Sequence, residues 1–529
     1  MPSPAEPSTL LEALERRSRD EPGRVAFTFG ESRHTYGRLW AAIGRYAAGL
    51  AARGVGPGDR VVLALPNGPE FFAAFYGAHR LSAVPVPVHP GSGPDRVADI
   101  ARLGGAAAVV RPGAEQAGAL GASVVTLCDL EGAAAGSPLS ALSASAPGDP
   151  ALIQYTSGST GDPNGVELTH AALIANVRQM IAGMEITADD VFVSWLPVHH
   201  DMGLVLMTMV PFFLGAPLVL LPANLTDVRP WLRAIDRHRG TFTAAPDFAW
   251  RLCLRSVRDP GRFDLASLRV ALNAAEPVRA ETIRRFHGTF GLSRVMVPGY
   301  GLAEATVGVS MQPPGTEPAV SERGLVAIGR PFPGVRIEVV AEGDPSRPAA
   351  PGEVGEVVVE SPAVTSGYFR NPEATAALFA RPGAVRTGDL GYRDAAGEVF
   401  LVGRSKNVIL QAGRNLAPQE LEETVEALPF VRRAAAVGID RGRAEGEQAF
   451  VFAELRRAQP PPEAELRELA IQAVERIHRR LGLRPGRLAL LLPRSIPRTA
   501  NGKIRHAALR DAWLDGSLRA AGRVLFPPG

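Results

Sequence analysis

The sequence predicts an α/β protein. It is read as a large N-terminal domain of two α/β subdomains plus a β-rich subdomain, followed by a small α+β C-terminal domain. Three observations carry this expectation. Short unbroken apolar runs such as RVVLALP (60–66) alternate with stretches of helical spacing, as in a parallel sheet covered on both faces. From residue 324 the texture changes to β-branched runs parted by glycine turns. Finally, 529 residues at 46% apolar content exceed what one core accommodates.

Taken in order, residues 9–20 open on a Ser/Thr cap and put Leu10, Leu11 and Leu14 on one face, which predicts a helix. RVVLALP is a strand, EFFAAFYGAHRLSA (70–83) a helix, and VPVPVHP (84–90) and AAAVVRP (106–112) are further strands. The segment 113–149 is rich in Ala, Gly and Ser, with SVVTLCDL (123–130) expected as a strand inside it. A second α/β stretch runs from about 170 to 320. Within it LVLMTMVPFFLGAPLVLL (204–221) approaches the length of a membrane span, but Pro211, Gly215 and Pro217 punctuate it. It is read as a buried helix, a turn and a buried strand, and no membrane span is expected. GVRIEVV, GEVGEVVVESP and GEVFLVG build the β-rich part over 324–404. LEETVEALPFVRRAAAVGI (421–439) is a helix then a strand, and AELRELAIQAVERIHRRLG (464–482) an amphipathic helix. A boundary is placed near Arg404–Asn407.

Composition excludes several classes. Net charge is +3 with both signs mixed, and no basic block is interleaved with aromatics, so no nucleic-acid partner is expected. The arginines of RIHRRLGLRPGR are read as solvated helix faces. Cys128 and Cys253 are too few and too far apart for a disulfide framework or a metal site. With no signal peptide evident, the expected location is cytoplasmic.

The stretch YTSGSTGDPNGV (155–166) holds Thr156, Ser157, Gly158, Ser159, Thr160 and Gly161, small hydroxyls and glycines able to surround phosphate oxygens. It lacks the Gly-Lys-Ser/Thr of a Walker A loop. WLPVHHDMGL, NAAEPVR, GYGLAEAT, TGDLGY, GRSKNVILQAGRN and NGKIR follow it in order. With these strings the chain resembles the adenylate-forming superfamily of acyl-CoA synthetases, fatty acyl-AMP ligases, luciferases and peptide-synthetase adenylation domains. HHDMGL, AEPVR and YGLAEAT are nearest to the fatty acyl-AMP ligases.

The resemblance implies ATP/AMP, Mg²⁺ and either coenzyme A or a carrier-protein phosphopantetheine as cofactors. It implies two half-reactions: a carboxylate attacks the α-phosphate of ATP, then a thiol attacks the acyl-adenylate. Tyr300 and Gly301 would line the adenine, followed by Leu302 and Ala303, and Ala275, Glu276 and Pro277 would form the opposite wall. Where the family often has Thr, this chain has Ala303. Glu304 would hold Mg²⁺, Asp389 the ribose hydroxyls, and Arg404 would assist. Lys503 would bridge carboxylate and α-phosphate, and His200 would stand at the mouth of the acyl pocket as a catalytic residue. That pocket would draw on His199, Asp201, Met202, Gly203, Pro246 and Asn273. The chain would divide into an N-terminal domain (1–404), a hinge at 405–406 that includes Lys406, and a mobile C-terminal domain (407–529) whose Gly413 lets pantetheine pass.

Two departures shape the expected activity. The connection from Thr306 to Gly329 lacks the insertion that fatty acyl-AMP ligases carry there, which favours CoA as acceptor. And Asn164 stands where the family has a lysine that neutralises the leaving pyrophosphate. A charged hydrogen bond contributes about 1.5–3 kcal/mol and a neutral one about 1 kcal/mol. The loss would slow adenylation roughly ten- to thirtyfold, while the thioester step, with no pyrophosphate to neutralise, would not suffer equally. The expected substrate is a bulky hydrophobic acid of fatty, polyketide or terpenoid type, or its acyl-AMP supplied by a separate adenylating enzyme. The competing readings are an acyl-AMP ligase that loads an acyl carrier protein, and a non-catalytic nucleotide or acyl binder.

Overall fold

The computed structural model describes residues 6–113, 123–132, 145–155, 164–224, 226–341, 344–411, 414–442, 447–498 and 504–527. Most of the sequence reading is met element by element. The first helix is Leu10–Asp20, with the Thr9 hydroxyl accepting from the Glu12 N–H at 3.1 Å. Strands Arg60–Leu63, Val84–Pro87, Ala108–Arg111 and Ser123–Thr126 form one all-parallel sheet, and the Pro69–Arg80 helix supplies a crossover. SVVTLCDL departs from expectation. Its strand stops at Thr126, which caps a short helix, Leu127–Glu131, through a reciprocal bond with Asp129. The capping box outcompetes the β-branched run.

A second sheet of nine strands carries the core. Its centre is parallel, in the order Met296–Tyr300, Val270–Asn273, Phe242–Ala245, Phe192–Ser194, Leu218–Leu220 and Val25–Phe29. Parallel strands all end on the same edge. The residues following four of them are Gly301, Ala274, Pro246 and Trp195, so stretches well separated in sequence converge where open α/β sheets bind ligands.

The apolar run 204–221 is buried, as expected, but it is not a regular α-helix. Met202–Met209 is a π-helix, followed by the Val210–Leu214 helix and the Leu218–Leu220 strand. No described helix is long and apolar enough to cross a membrane.

The β-rich region is antiparallel: Arg336–Ala341, Gly355–Glu360, Ala384–Arg393 and Val399–Arg404 pair in sequence order. Beyond it, Val431–Asp440, Glu447–Leu455, Arg487–Leu491 and Val524–Phe526 make a separate four-stranded sheet, with the helices Pro418–Glu426, Glu463–Leu481 and His506–Leu514 packed on it. Two apolar clusters in this part draw only on residues between 409 and 526, whereas Val402 and Ala417 share a smaller cluster that spans residues 325–417.

Candidate functional site

The phosphate-loop stretch lies between two strands of a hairpin, Pro150–Tyr155 and Gly165–Thr169. Thr156 to Gly161 lie outside the described residues, as do Gly413 and Lys503. The hairpin is widened by Gly367–Tyr368, which pairs with Gly165–Thr169. That added strand places Asn371 beside the loop's end, where its Nδ2 donates to Asn164 Oδ1 at 3.0 Å.

Asp389 sits at the heart of the best-defined polar cluster. It lies opposite Arg404 in the register of two antiparallel strands. Its Oδ1 is 2.9 Å from Arg404 Nε, and its Oδ2 accepts from the Tyr300 hydroxyl at 2.5 Å. Thr387 Oγ1 accepts from the Asp389 N–H at 3.0 Å, while the Thr387 carbonyl accepts from Arg404 Nη1 at 2.8 Å. Burial and then the Asp389 charge raise the Tyr300 phenol well above its ordinary value, so Tyr300 is a fixed hydrogen-bond donor. Arg404 is held above its usual value: burial works against its charge, but Asp389, Tyr300, Glu304 and Tyr368 outweigh it.

The next turn presents Glu304 from a short 3₁₀ segment, Ala303–Ala305. Tyr368, unnoticed in the sequence, donates from its hydroxyl to Glu304 Oε1 at 2.8 Å. Burial first, then Glu304, push that phenol upward, which again fixes it as the donor. The Glu304 carbonyl accepts from the Thr365 N–H at 2.8 Å. Just after it, Thr306 takes φ 69° and ψ −64°, with the Val307 N–H donating to Ala305 O at 2.9 Å. This is a γ-turn of positive φ, rare and strained for a β-branched residue. It persists because Thr306 is fully buried and its hydroxyl donates to Ala363 O at 2.7 Å. Gly301 faces the same turn from the other side, and a Cβ there would run into the Val307 carbonyl.

The WLPVHHDMGL stretch leaves the Phe192–Ser194 strand and is braced from outside. Asn67, also missed, donates from Nδ2 to Leu196 O and Leu221 O at 2.9 Å each and accepts from the Val198 N–H at 3.0 Å. Gln154, just before the phosphate loop, donates to His199 O at 2.7 Å. His200 Nδ1 and Asp201 Oδ1 are 2.6 Å apart, and Asp201 also accepts from the Met202 N–H at 2.7 Å, capping the π-helix. The His199 ring meets His89 edge-on at 4.9 Å. Burial, with help from His89 and His200, lowers His199 to about 3, so it stays neutral at physiological pH. Gly203 is required here, since a Cβ would strike the Pro197 carbonyl. Among the described residues no group of three His, Cys, Asp or Glu side chains could hold a metal ion.

The last wall comes from Pro246 and NAAEPVR. Asn273 is fully buried, and its Nδ2 donates to Asp247 Oδ1 at 3.0 Å. Ala275 has φ 68°, a strained value for a residue with a Cβ, and Glu276 accepts from the Phe248 N–H. Pro277 follows in the same turn. Lys406 lies on an exposed turn after the Val399–Arg404 strand.

The structure thus brings Tyr300, Asp389 and Arg404 into contact with Glu304 within electrostatic reach of Arg404, puts Asn164 beside Asn371, and sets Pro246, Asn273 and Ala275 on the shared strand edge. Tyr368, Asn67 and Asn371 support these groups from elsewhere in the chain. Only the fold could reveal them, because each acts across more than sixty residues of sequence.

Known proteins resemble this chain along most of its length. The family model described as AMP-binding enzyme matches residues 14–369. The long-chain-fatty-acid–AMP ligase FadD26 of Mycobacterium marinum is 33% identical, with 96% of this chain and 97% of that protein covered. The medium-chain-fatty-acid–[acyl-carrier-protein] ligase JamA of Moorena producens is 34% identical over 70% of this chain and 68% of its own length. Among solved structures, a fatty acyl-adenylate ligase from the E. coli and L. pneumophila pair superposes with a TM-score of 0.84 at 28% identity, covering 97% of this chain and 98% of that one. The chain belongs to the AMP-binding enzyme family and is a ligase of its adenylate-forming kind.

Proposed function

We propose that this enzyme activates a hydrophobic carboxylic acid as its acyl-adenylate and transfers the acyl group to a thiol. The observation that carries the reading is the Tyr300–Asp389–Arg404 cluster, with the Glu304–Tyr368 pair within electrostatic reach of Arg404. It offers oriented carboxylates for a ribose and a metal ion beside a hairpin of phosphate-loop composition. Asp389 would accept from the ribose hydroxyls while Tyr300 and Arg404 hold its plane. Glu304 suits Mg²⁺, because it is a hard oxygen donor whose Oε2 makes no hydrogen bond to a described residue. When bound, the ion would neutralise phosphate charge. Ala275, Glu276, Pro277, Gly301, Leu302 and Ala303 would line the adenine, and the phosphate loop would cradle the pyrophosphate. Lys503 would approach from the C-terminal domain, which would turn about Ser405–Lys406 and bring Gly413 to the thiol's path. His200, oriented by Asp201, would stand at the acyl mouth together with His199, Met202 and Gly203.

Coenzyme A is the acceptor we favour. The Thr306–Gly329 connection is short. In addition, the alignment with FadD26 spans 577 positions, more than this chain has residues, so that relative carries segments absent here. A carrier-protein phosphopantetheine is the second reading, supported by the similarity to a ligase named for loading acyl carrier protein.

Asn164 sets the balance between the half-reactions. Its carboxamide is engaged by Asn371 and brings no charge to the pyrophosphate, so the enzyme would favour thioester formation from acyl-AMP, whether made here or supplied by another adenylating enzyme.

The test is ATP–pyrophosphate exchange across a panel of acids, with thioester formation from preformed acyl-AMP measured alongside using CoA and a holo carrier protein. Exchange with at least one hydrophobic acid, and faster turnover from acyl-AMP than from acid plus ATP, is the expected result. Retained AMP binding without exchange or thioester would leave the non-catalytic binder instead.

A further inference from the structure

A second charged cluster lies outside the nucleotide site, and no step described so far uses it. Asp247, almost fully buried, sits at the start of the Asp247–Ser256 helix and bonds both ends of the NAAEPVR turn: Asn273 Nδ2 at 3.0 Å and the Arg279 N–H at 3.4 Å. Its other oxygen faces Arg251 Nε at 3.0 Å and Arg279 Nε at 3.8 Å. Both guanidinium groups then reach one oxygen of Glu426 in the C-terminal region, Arg251 at 3.0 Å and Arg279 at 2.7 Å. Arg279 Nε also lies 3.3 Å from Glu423. The free end of Glu426 is not loose. Its Oε1 accepts from the Ala434 N–H at 3.1 Å, which ties it to the C-terminal sheet.

The charge count of these residues matters. Three carboxylates meet two guanidinium groups while the Pro418–Glu426 helix is docked. If that helix withdraws, Asp247 alone remains against Arg251 and Arg279, and the contacts that draw Arg279 away from the turn are lost. The same arginine therefore belongs to the wall of the site and to the domain contact. The segment carrying Lys503 is anchored nearby. Arg498 and Ile504 bridge on either side of it, His506 Nε2 lies 2.7 Å from Glu422 on the same helix, and Arg433 is within electrostatic reach of both Arg498 and Glu276.

We propose that Arg279 is a positioning residue for the adenylation half-reaction: paired with Glu426, it docks the C-terminal domain while holding the 273–279 wall in shape. Coupling of this kind is reciprocal, so a filled adenylate site favours docking as much as docking favours the site. The proposal rests on the adenylate–thioester reading above, but its test does not.

The full-length enzyme is compared with Arg279→Gln, Glu426→Gln, the double Gln variant and Arg279→Lys. Each Gln variant should lower the maximal rate of ATP–pyrophosphate exchange roughly tenfold, a typical size for coupling between sites. Thioester formation from preformed acyl-AMP should stay within about twofold of wild type in Glu426→Gln, which lies outside the site wall, and the two Gln changes together should cost exchange no more than Arg279→Gln alone. Arg279→Lys should restore part of the loss. A matching fall in both half-reactions for Glu426→Gln, additive losses, or unchanged exchange would overturn the proposal.

Trypsin cleavage after the exposed Lys406 supplies a readout independent of activity. The Gln variants should be cut several times faster than wild type, and Arg279→Lys at an intermediate rate. Equal cleavage rates would refute the docking role even if no acid supports exchange, an outcome that would itself sink only the catalytic reading.

Discussion

The Asp389 and Asp247 clusters each bury a carboxylate against arginine, yet they are assembled in different ways. Asp389 and Arg404 face each other across a single strand pair, and Tyr300 adds one hydroxyl. The Asp389–Arg404 pairing follows from local register, and the Tyr300 hydroxyl reaches it from another sheet. Asp247 instead gathers Arg251 from its own helix, Asn273 and Arg279 from the neighbouring turn, and Glu423 and Glu426 from a helix more than 140 residues onward. The first is rigid because a β-ladder makes it so. The second holds only while two packed regions stay together. A site built on a ladder suits a ligand held throughout a reaction cycle, whereas a cluster built across a seam suits a contact made and broken within it.

The contrast can be broken most sharply at Asp389. Asp389→Asn keeps the shape but removes the charge that Arg404 pairs with and weakens the acceptor for a ribose. Both half-reactions handle the AMP moiety, so both should fall, by roughly a hundredfold, corresponding to about 2.7 kcal/mol. Steady-state measurement of exchange and of thioester formation checks this. A loss confined to one half-reaction would erase the distinction from Arg279.

Asn164→Lys should act on adenylation alone and in the opposite direction. Exchange should rise about ten- to thirtyfold as the leaving pyrophosphate gains a charged partner, with the acyl-AMP reaction unchanged. No rise would mean that the loop is neutralised by other groups.

Acid should separate the two clusters through the seam. Burial raises Glu423 above its ordinary value, although Arg279, Gln419 and Arg480 pull the other way and Asp247 adds to the rise. Burial also opposes the charge on Glu426, but Arg279, Arg251 and the Ala434 N–H overcome it and leave it depressed. The signs are opposite. Glu423 binds its proton more readily when docked, so docking gains as pH falls through its raised value. Glu426 contributes docking stability that is present above its ordinary value, near 4.5, and is lost as pH falls through its depressed one. Tryptic or acid-protease cleavage near residue 406, followed against pH, should therefore first slow slightly and then accelerate below the ordinary glutamate range. A monotonic profile would contradict this pairing.

The smallest change is expected from Asn371→Ala. It removes a neutral hydrogen bond to Asn164, about 1 kcal/mol, together with the side-chain cap of the Pro372–Leu378 helix, and should alter exchange by only a few-fold. A large effect would show that the Asn164–Asn371 pair organises the whole loop.

Tyr300, Glu304, Asp389 and Arg404 were expected only through the resemblance of GYGLAEAT, TGDLGY and GRSKN to family motifs; in the fold GYGLAEAT begins at the end of the Met296–Tyr300 strand and TGDLGY lies within Ala384–Arg393. Tyr368 was not legible, since nothing about a tyrosine after a glycine says that it will meet Glu304 64 residues away. SVVTLCDL misled because its β-branched residues favour a strand, while the Thr126–Asp129 cap needs no tertiary partner and ends that strand early. The π-helix at Met202–Met209 was hidden too. Its apolar pattern announced burial, but the extra residue per turn comes from packing around Gly203 and Pro197.

By itself, then, the sequence determined what is governed by near neighbours: the alternation that makes parallel strands, the glycines where backbones approach, and the ordered motifs that mark an adenylate-forming ligase. The tertiary structure alone decided which charges meet across the Asp247–Arg279–Glu426 seam. The physical reason is that a buried ion pair depends on distance and desolvation, which a linear spacing does not encode, whereas helix caps and strand alternation are set within a few residues.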